Sequence, residues 1–213
     1  MTDPAALRRT YLRGALSEST VAGTWLVQLR CWFDEAVEAF GWGEANAMQV
    51  ATVDERGLPS LRTVLAKGID ERGVSFFTNF DSAKGRELAA RPYAAAQFVW
   101  QSHERQVRLR GRVARVSREE TEAYFATRPR GSQLGAWASP QSQVIASRAV
   151  LDDELAAVER RFAARDVPAP PNWGGFLIAP DLVEFWQGRA DRLHDRLRFR
   201  LDDGAWAIER LAP

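Results

Sequence analysis

The sequence predicts an α+β protein, mainly antiparallel β, whose sheet closes into a barrel with peripheral helices. Three observations carry that expectation. Seven or eight short segments have strand patterning, and most follow one another through hairpin-type turns. Few helices intervene, so the strand–helix alternation of a doubly wound parallel sheet is missing. No Gly-x-Gly-x-x-Gly fingerprint occurs.

Residues 1–20 show only a short Arg/Leu-containing stretch and are expected to be a flexible segment before a single domain at 21–213. From Trp25 to Phe40, Leu26, Leu29, Trp32, Phe33, Ala36, Val37 and Phe40 recur at helical spacing, and Gly41 and Gly43 end that helix. The period then changes to that of strands at 47–53 and 61–69, joined by Asp54-Glu-Arg-Gly-Leu-Pro-Ser60. A strand at 73–78 follows a second Asp-Glu-Arg-Gly turn. A short helix at 82–90 has Asp81 or Ser82 as N-cap. Residues 94–100 are apolar enough for a strand. In 105–116, Val107, Leu109, Gly111 and Val113 alternate with Arg108, Arg110 and Arg112, which predicts a half-buried strand with a basic outer face. Ser117-Arg-Glu-Glu120 is a capping box that opens a helix to about Thr127, stopped by Pro129. An amphipathic helix is expected over 147–165 and a Pro-rich connector over 167–172. Strands at 176–178, 182–186, 192–201 and 206–211 complete the chain.

The chain has 213 residues, 46% apolar and 27% charged, an ordinary globular composition. No run approaches ~18 apolar residues, so no membrane-spanning helix is expected. Residues 1–9 hold no apolar signal core, which points to a cytoplasmic protein. Cys31 is the sole cysteine, so an internal disulfide is excluded; its apolar helical neighbours suggest a core position. A net charge of +1 gives no field toward nucleic acid, and no exposed aromatic platform motif is present. The cations are oddly divided: 27 arginines against two lysines, Lys67 and Lys84. Genomic composition can produce that bias. The alternative is that these two positions need a compact ammonium rather than a planar fork.

Three groups could carry chemistry. Arg192, His194 and Arg196 alternate, so on a strand they share a face; two guanidiniums beside an imidazole call for an anion or an electron-rich ring. A solvated basic strand face has the same spacing. Trp186 is the tryptophan best placed beside a ligand. Tyr124 and Arg128 share a helix face, with Ser132 in the turn beyond, a set able to hold a phosphate monoester as well as to decorate a helix end. Arg62 and Lys67 lie near Thr78 and Lys84, the last in the first turn of a helix, where free N–H groups favour an anion. Being five apart, Arg62 and Lys67 point to opposite faces of a regular strand and should serve different groups or ligands, unless a bulge intervenes. His103 reads as a loop histidine, and no metal-ligand spacing or Ser/His/Asp arrangement is found.

The segment Val183-Glu-Phe-Trp-Gln-Gly-Arg-Ala-Asp-Arg-Leu-His-Asp-Arg196 resembles the signature of the pyridoxine (pyridoxamine) 5′-phosphate oxidase family. Arg62-Thr-Val-Leu-Ala-Lys67, Phe77-Thr78, Glu104-Arg-Gln106, Arg128-Pro-Arg-Gly-Ser-Gln-Leu-Gly-Ala-Trp137, Gln141-Ser142 and Arg210-Leu-Ala-Pro213 add to the likeness. The resemblance runs from about Ala47 to Pro213 and more weakly through Leu7 to Tyr11.

It implies an FMN-binding split β-barrel working as a homodimer, with each FMN at the subunit interface. The implied activity is oxidation of pyridoxamine 5′-phosphate and pyridoxine 5′-phosphate to pyridoxal 5′-phosphate, with O2 as acceptor and H2O2 as product. Implied FMN contacts are Arg62, Thr63, Val64, Leu65, Ala66, Lys67, Phe77, Thr78, Lys84, Gln106, Gln141, Ser142, Trp186 and Arg196. Implied substrate contacts are Lys67, Tyr124, Arg128, Ser132, Arg192, Leu193 and His194, with Arg8 and Tyr11 from a segment that covers the site in some members. Arg192 and His194 are the implied catalytic pair, orienting the pyridine ring. Two departures stand out: Ala83 where many members have Arg, and Phe77 where Tyr is frequent. The rivals are a related flavin oxidase for another aromatic substrate, of the phenazine-pathway kind, and a non-catalytic flavin or deazaflavin binder.

Overall fold

A computed structural model describes residues 3, 10–40 and 45–213. The expected stop at Gly41 and Gly43, and Arg8, lie outside the described residues. Helix α1 (Trp25–Phe40) leads into β1 (Ala47–Val53), β2 (Pro59–Leu65), β3 (Gly68–Asp70) and β4 (Gly73–Asn79). Helix α2 (Ala83–Ala90), β5 (Tyr93–Trp100) and β6 (Arg105–Arg115) follow. Three helices come next, α3 (Arg118–Ala126), α4 (Arg130–Ala138) and α5 (Arg148–Arg161), and then β7 (Trp173–Gln187), β8 (Asp195–Asp202) and β9 (Ala205–Arg210).

All described strand pairs are antiparallel. The sheet runs β2-β1-β5-β6-β7-β4-β3, with β8 also on β7 and β9 on β8. It curls around one apolar core of Met48, Val50, Phe76, Phe98, Leu109, Ile178, Phe185, Leu197 and Phe199, closed on one side by Leu29, Trp32 and Ala36 of α1. Alternation in β6 sets that core. Val107 and Leu109 are fully buried, while Arg108, Arg110 and Arg112 face out, as their spacing predicts. A second cluster, with Phe125, Leu134, Phe162 and Trp173 at its centre, lies under α3, α4 and α5.

Several boundaries differ from expectation for identifiable reasons. The expected strand 61–69 is two strands, because the chain changes partner: Ala66 N–H bonds Asn46 O beside β1, and Lys67 N–H bonds Ser75 O on β4. Residues 176–178 and 182–186 form one strand, β7, whose start pairs with β4 and whose end pairs with β8. A register shift between Arg110 and Gly111 lets it bend between the two. Only glycine fits there, since a Cβ on Gly111 would lie 1.9 Å from Ala179 O. The turn expected beyond Pro129 is helix α4, so Ser132 stands in a helical first turn. The expected strand 192–201 begins only at Asp195, because Asp191 and Arg192 adopt left-handed φ values of 55° and 61°. Arg192, His194 and Arg196 therefore do not form a row on one strand. Cys31 is exposed rather than in the core, since α1 turns Trp25, Leu29, Trp32 and Ala36 inward.

Ser117 accepts from the Glu120 N–H at 3.0 Å, the N-cap half of the expected capping box, while the Glu120 carboxylate accepts from Arg72. Ser117→Ala should lower stability by about 1 kcal/mol, read as a shift in a urea unfolding midpoint.

Candidate active site

The first group is built on α2. Ser82 caps it, its Oγ accepting from Gly85 N–H at 3.2 Å, and places Lys84 in the first turn. Lys84 is only 9% exposed. Its Nζ donates to Gln141 Oε1 at 2.9 Å, Thr78 Oγ1 at 3.1 Å and Ser82 Oγ at 3.4 Å, all neutral oxygens. Burial pushes its pKa below the ordinary lysine value; the nearby Arg62 adds to this and Glu87 opposes it. Arg62 is itself committed. Its Nη2 donates to Glu87 Oε2 at 3.0 Å and to Ser60 Oγ at 2.5 Å, and Nη1 bonds Thr52 Oγ1. Burial would raise the Glu87 pKa, but hydrogen bonds from Thr52, Ser60 and Arg62 outweigh it and hold the carboxyl below its usual range. The Arg62–Glu87 pair is neutral as a unit, and the Lys84 charge stands beside it uncompensated.

The second group stands at the C-terminal end of α3. Tyr124 stacks on Phe77 with centroids 4.1 Å apart, and Phe77 stacks on Trp173 at 5.5 Å. Phe77 therefore serves as a packing ring, which needs no hydroxyl. The Arg128 guanidinium lies 4.6 Å from the Trp173 centroid. Its Nη1 is buried without a hydrogen-bond partner. Burial lowers the Arg128 pKa and raises that of the Tyr124 phenol, which Arg128 pulls the other way.

One cavity of about 670 Å³ joins the two groups. Arg62, Thr63, Val64, Leu65, Lys67, Phe77, Thr78, Lys84, Tyr124, Arg128, Ser132 and Gln141 all line it. The break after β2 brings Arg62 and Lys67 to one cavity, although a regular strand would separate them. Ala66 is buried and Ser142 is exposed, and neither lines the cavity.

The remaining predicted residues gather elsewhere. Gln106 pairs with Trp186, and Trp186 with Arg196, across three strands. Gln106 Oε1 accepts from Gln97 Nε2 at 2.7 Å. Arg196 Nε donates to the buried Glu184 at 2.9 Å, and Glu184 also accepts from Arg108. His194 lies 4.6 Å from Trp186, centroid to centroid, and the Tyr11 ring stands edge-on to both at 5.7 Å. The Arg189 N–H donates to His194 Nδ1 at 3.1 Å, which leaves the proton of a neutral ring on Nε2. Arg192 and Leu193 are exposed in the turn before β8. None of Gln106, Trp186, Arg192, His194 and Arg196 lines the 670 Å³ cavity, so a single chain holds the predicted residues as two separate halves.

Sequence reasoning missed Glu87, Glu184 and Trp173. The signal for Glu87 was its position three residues after Lys84 on a short helix. Glu184 stands in the Val183–Arg196 signature with no role assigned to it there, and Trp173 gave no signal, because only strand pairing brings it to the site. Among the described residues, no group of three or more His, Cys, Asp or Glu side chains could hold a metal, and no helix is long and apolar enough to cross a membrane.

A curled antiparallel barrel bearing a cation-lined cleft with two anion-ready ends is the class that fold and site define. Residues 33–162 match the family model for pyridoxamine 5′-phosphate oxidase, and residues 173–213 match that for the pyridoxine 5′-phosphate oxidase C-terminal dimerisation region. The chain belongs to the pyridoxamine 5′-phosphate oxidase family. It is 59% identical over 209 residues to a pyridoxine/pyridoxamine 5′-phosphate oxidase of Saccharopolyspora erythraea, covering 98% of this chain and 94% of that one. It is 51% identical to one of Acaryochloris marina, covering 100% and 96%. Among solved structures, it superposes on PhzG from Burkholderia lata 383, in complex with tetrahydrophenazine-1-carboxylic acid, with TM-score 0.85, 28% identity and coverage of 92% and 95%. A pyridoxamine 5′-phosphate oxidase-related, FMN-binding protein from Nostoc punctiforme shares the fold with TM-score 0.69, 20% identity and coverage of 86% and 97%. The match to the dimerisation region supports a homodimer.

Proposed function

We propose that this chain is a cytoplasmic, FMN-dependent oxidase that converts pyridoxamine 5′-phosphate and pyridoxine 5′-phosphate to pyridoxal 5′-phosphate, with O2 as acceptor and H2O2 as product. The observation that carries this is the single cavity with two cationic ends, one at Lys84 and the other at Arg128. Two phosphorylated molecules, cofactor and substrate, meet that demand together. FMN fits the first end: a buried ammonium bonded only to neutral oxygens lacks a counter-charge, and a phosphate supplies it. Lys84 and Thr78 would hold that phosphate, with the Glu87-paired Arg62 beside them. When bound, FMN supplies the two-electron acceptor and the route to dioxygen.

The second end suits the substrate's phosphate. Arg128 has a buried donor to spare, Tyr124 a phenol and Ser132 a hydroxyl, and Lys67 lines the same wall. Gln106, Trp186, Arg192, His194 and Arg196 belong to the same reaction if a second copy brings them over the cavity, which is how a homodimer with FMN at its interface would be completed. With Nδ1 occupied by the Arg189 amide, His194 offers Nε2–H, a donor able to orient a ring substituent of the substrate. Arg192 would add a planar fork beside it.

The likeness to PhzG favours a second reading, an oxidase for a tricyclic aromatic substrate. Lys67, Tyr124, Arg128 and Ser132 together argue for a phosphorylated one. Anaerobic addition of pyridoxamine 5′-phosphate to the flavin-loaded protein should bleach the visible flavin bands, whereas unphosphorylated pyridoxamine at the same concentration should not. Flavin that stays oxidised under these conditions would overturn the proposal and leave a binder or the tricyclic oxidase.

A further inference from the structure

We propose that Glu104 is a positioning residue, whose carboxylate anchors an N-terminal strap and thereby sets Tyr11 against the Trp186–His194 pair. The kinetic part of this inference rests on the oxidase reading above; the structural part does not.

Glu104 is 4% exposed and sits at the end of a 3-10 turn in a left-handed conformation, φ 57° and ψ 38°. Its Oε2 accepts two consecutive backbone N–H groups, Leu12 at 2.8 Å and Arg13 at 2.9 Å. A carboxylate receiving two amides is a stronger clamp than a neutral acceptor. The backbone of the same residue holds the other side of the junction: its carbonyl accepts from Gly188 N–H at 2.7 Å and from Gln187 Nε2 at 3.3 Å. Glu104 thus ties residues 12–13 to the end of β7, directly after Trp186.

The strap has no helix or strand over 10–24 to order it. Leu16, buried in the main core, pins its middle, and a short series of polar ties, of which Glu104 is the first, holds the rest. Arg189 Nη1 donates to Gly14 O at 2.9 Å, and Asp195 Oδ2 accepts from Leu16 N–H at 3.1 Å. Tyr11 is one residue outside the Glu104 clamp, and its ring lies over Gly188, where a Cβ would stand 2.8 Å from Tyr11 Cγ. The ring faces Trp186 and His194, both expected to meet flavin or substrate. Losing the clamp frees Tyr11 without touching either ring, so capture of substrate should suffer while turnover of the captured substrate does not.

The test uses the flavin-loaded protein with Glu104→Ala, Glu104→Gln, Tyr11→Ala and the Glu104/Tyr11 double alanine variant. The expected result is a rise of about tenfold in KM for pyridoxamine 5′-phosphate in each alanine single variant, with kcat within about twofold. The double variant should be no worse than the larger single, because both changes act through one ring. Glu104→Gln keeps a neutral acceptor and should recover part of the KM. Without substrate, Glu104→Ala should speed hydrogen exchange of the Leu12 and Arg13 amides and move the His194 ring signals toward their Tyr11→Ala positions. Multiplying effects in the double variant, an unchanged KM, or a His194 signal unmoved by Glu104→Ala would each overturn the inference. If the wild-type protein fails to oxidise pyridoxamine 5′-phosphate, the oxidase reading falls, and the exchange and His194 measurements alone decide the role of Glu104.

Discussion

Lys84→Met is expected to weaken FMN binding by about a hundredfold, close to 3 kcal/mol for one charge-assisted contact inside a buried site. The flavin-free protein should meanwhile unfold at nearly the wild-type midpoint. The two effects separate because the ammonium is a cost to the empty fold: it is buried, and its three hydrogen bonds go to neutral oxygens. Methionine fills similar volume without that cost. Lys84→Arg should also bind poorly, since a planar fork cannot occupy the space of a point charge among Thr78, Ser82 and Gln141. A pH dependence follows. The folded-state pKa of Lys84 is lowered, by burial first and by Arg62 second. Between that lowered value and the ordinary lysine pKa, the unfolded chain binds a proton the empty fold has shed, so stability of the flavin-free protein rises with pH through that window. FMN affinity falls across the same window as the ammonium is lost. Fluorescence titration of FMN and thermal unfolding at matched pH check both signs, and both slopes should be absent in Lys84→Met.

Arg128→Ala should raise KM for pyridoxamine 5′-phosphate by about a hundredfold or more, through loss of a charged phosphate contact. FMN affinity should change little, because the flavin end of the cavity is held by other residues. The Arg128 Nη1 is the reason to expect so large an effect: a buried N–H without a partner is costly, and the ligand that satisfies it recovers that cost. The face of Trp173, 4.6 Å away, keeps the guanidinium in place before any ligand arrives. Steady-state kinetics with an FMN titration alongside would measure this. An unchanged KM would remove Arg128 from the substrate site.

Much of the fold was legible in local pattern. The capping serines, the alternation in β6 and the helix at 25–40 each follow from spacing that solvent and core read directly. The misses share one cause. Lys67 leaves the β2 line because its N–H finds Ser75 O on β4, a partner eight residues away that no local period announces. β7 is one strand rather than two because it answers to β6 along its length and to β4 and β8 at its ends. Arg192 stands outside a strand because the chain must turn through two left-handed residues before β8 can pair.

Sequence alone determined the residue types, and here they are unusually telling. A chain with two lysines among 29 cations puts both on one cavity. Family-signature residues from 62 to 196 also named the chemistry in advance. What tertiary structure decided is how those charges are compensated. Glu87 neutralises Arg62, whereas the contacts of Lys84 are all neutral and the Nη1 of Arg128 has no partner. A charge's partner is set by distance and burial, which emerge only when strands far apart in sequence pack. Those same contacts separate a cation that holds the fold from one that waits for a phosphate.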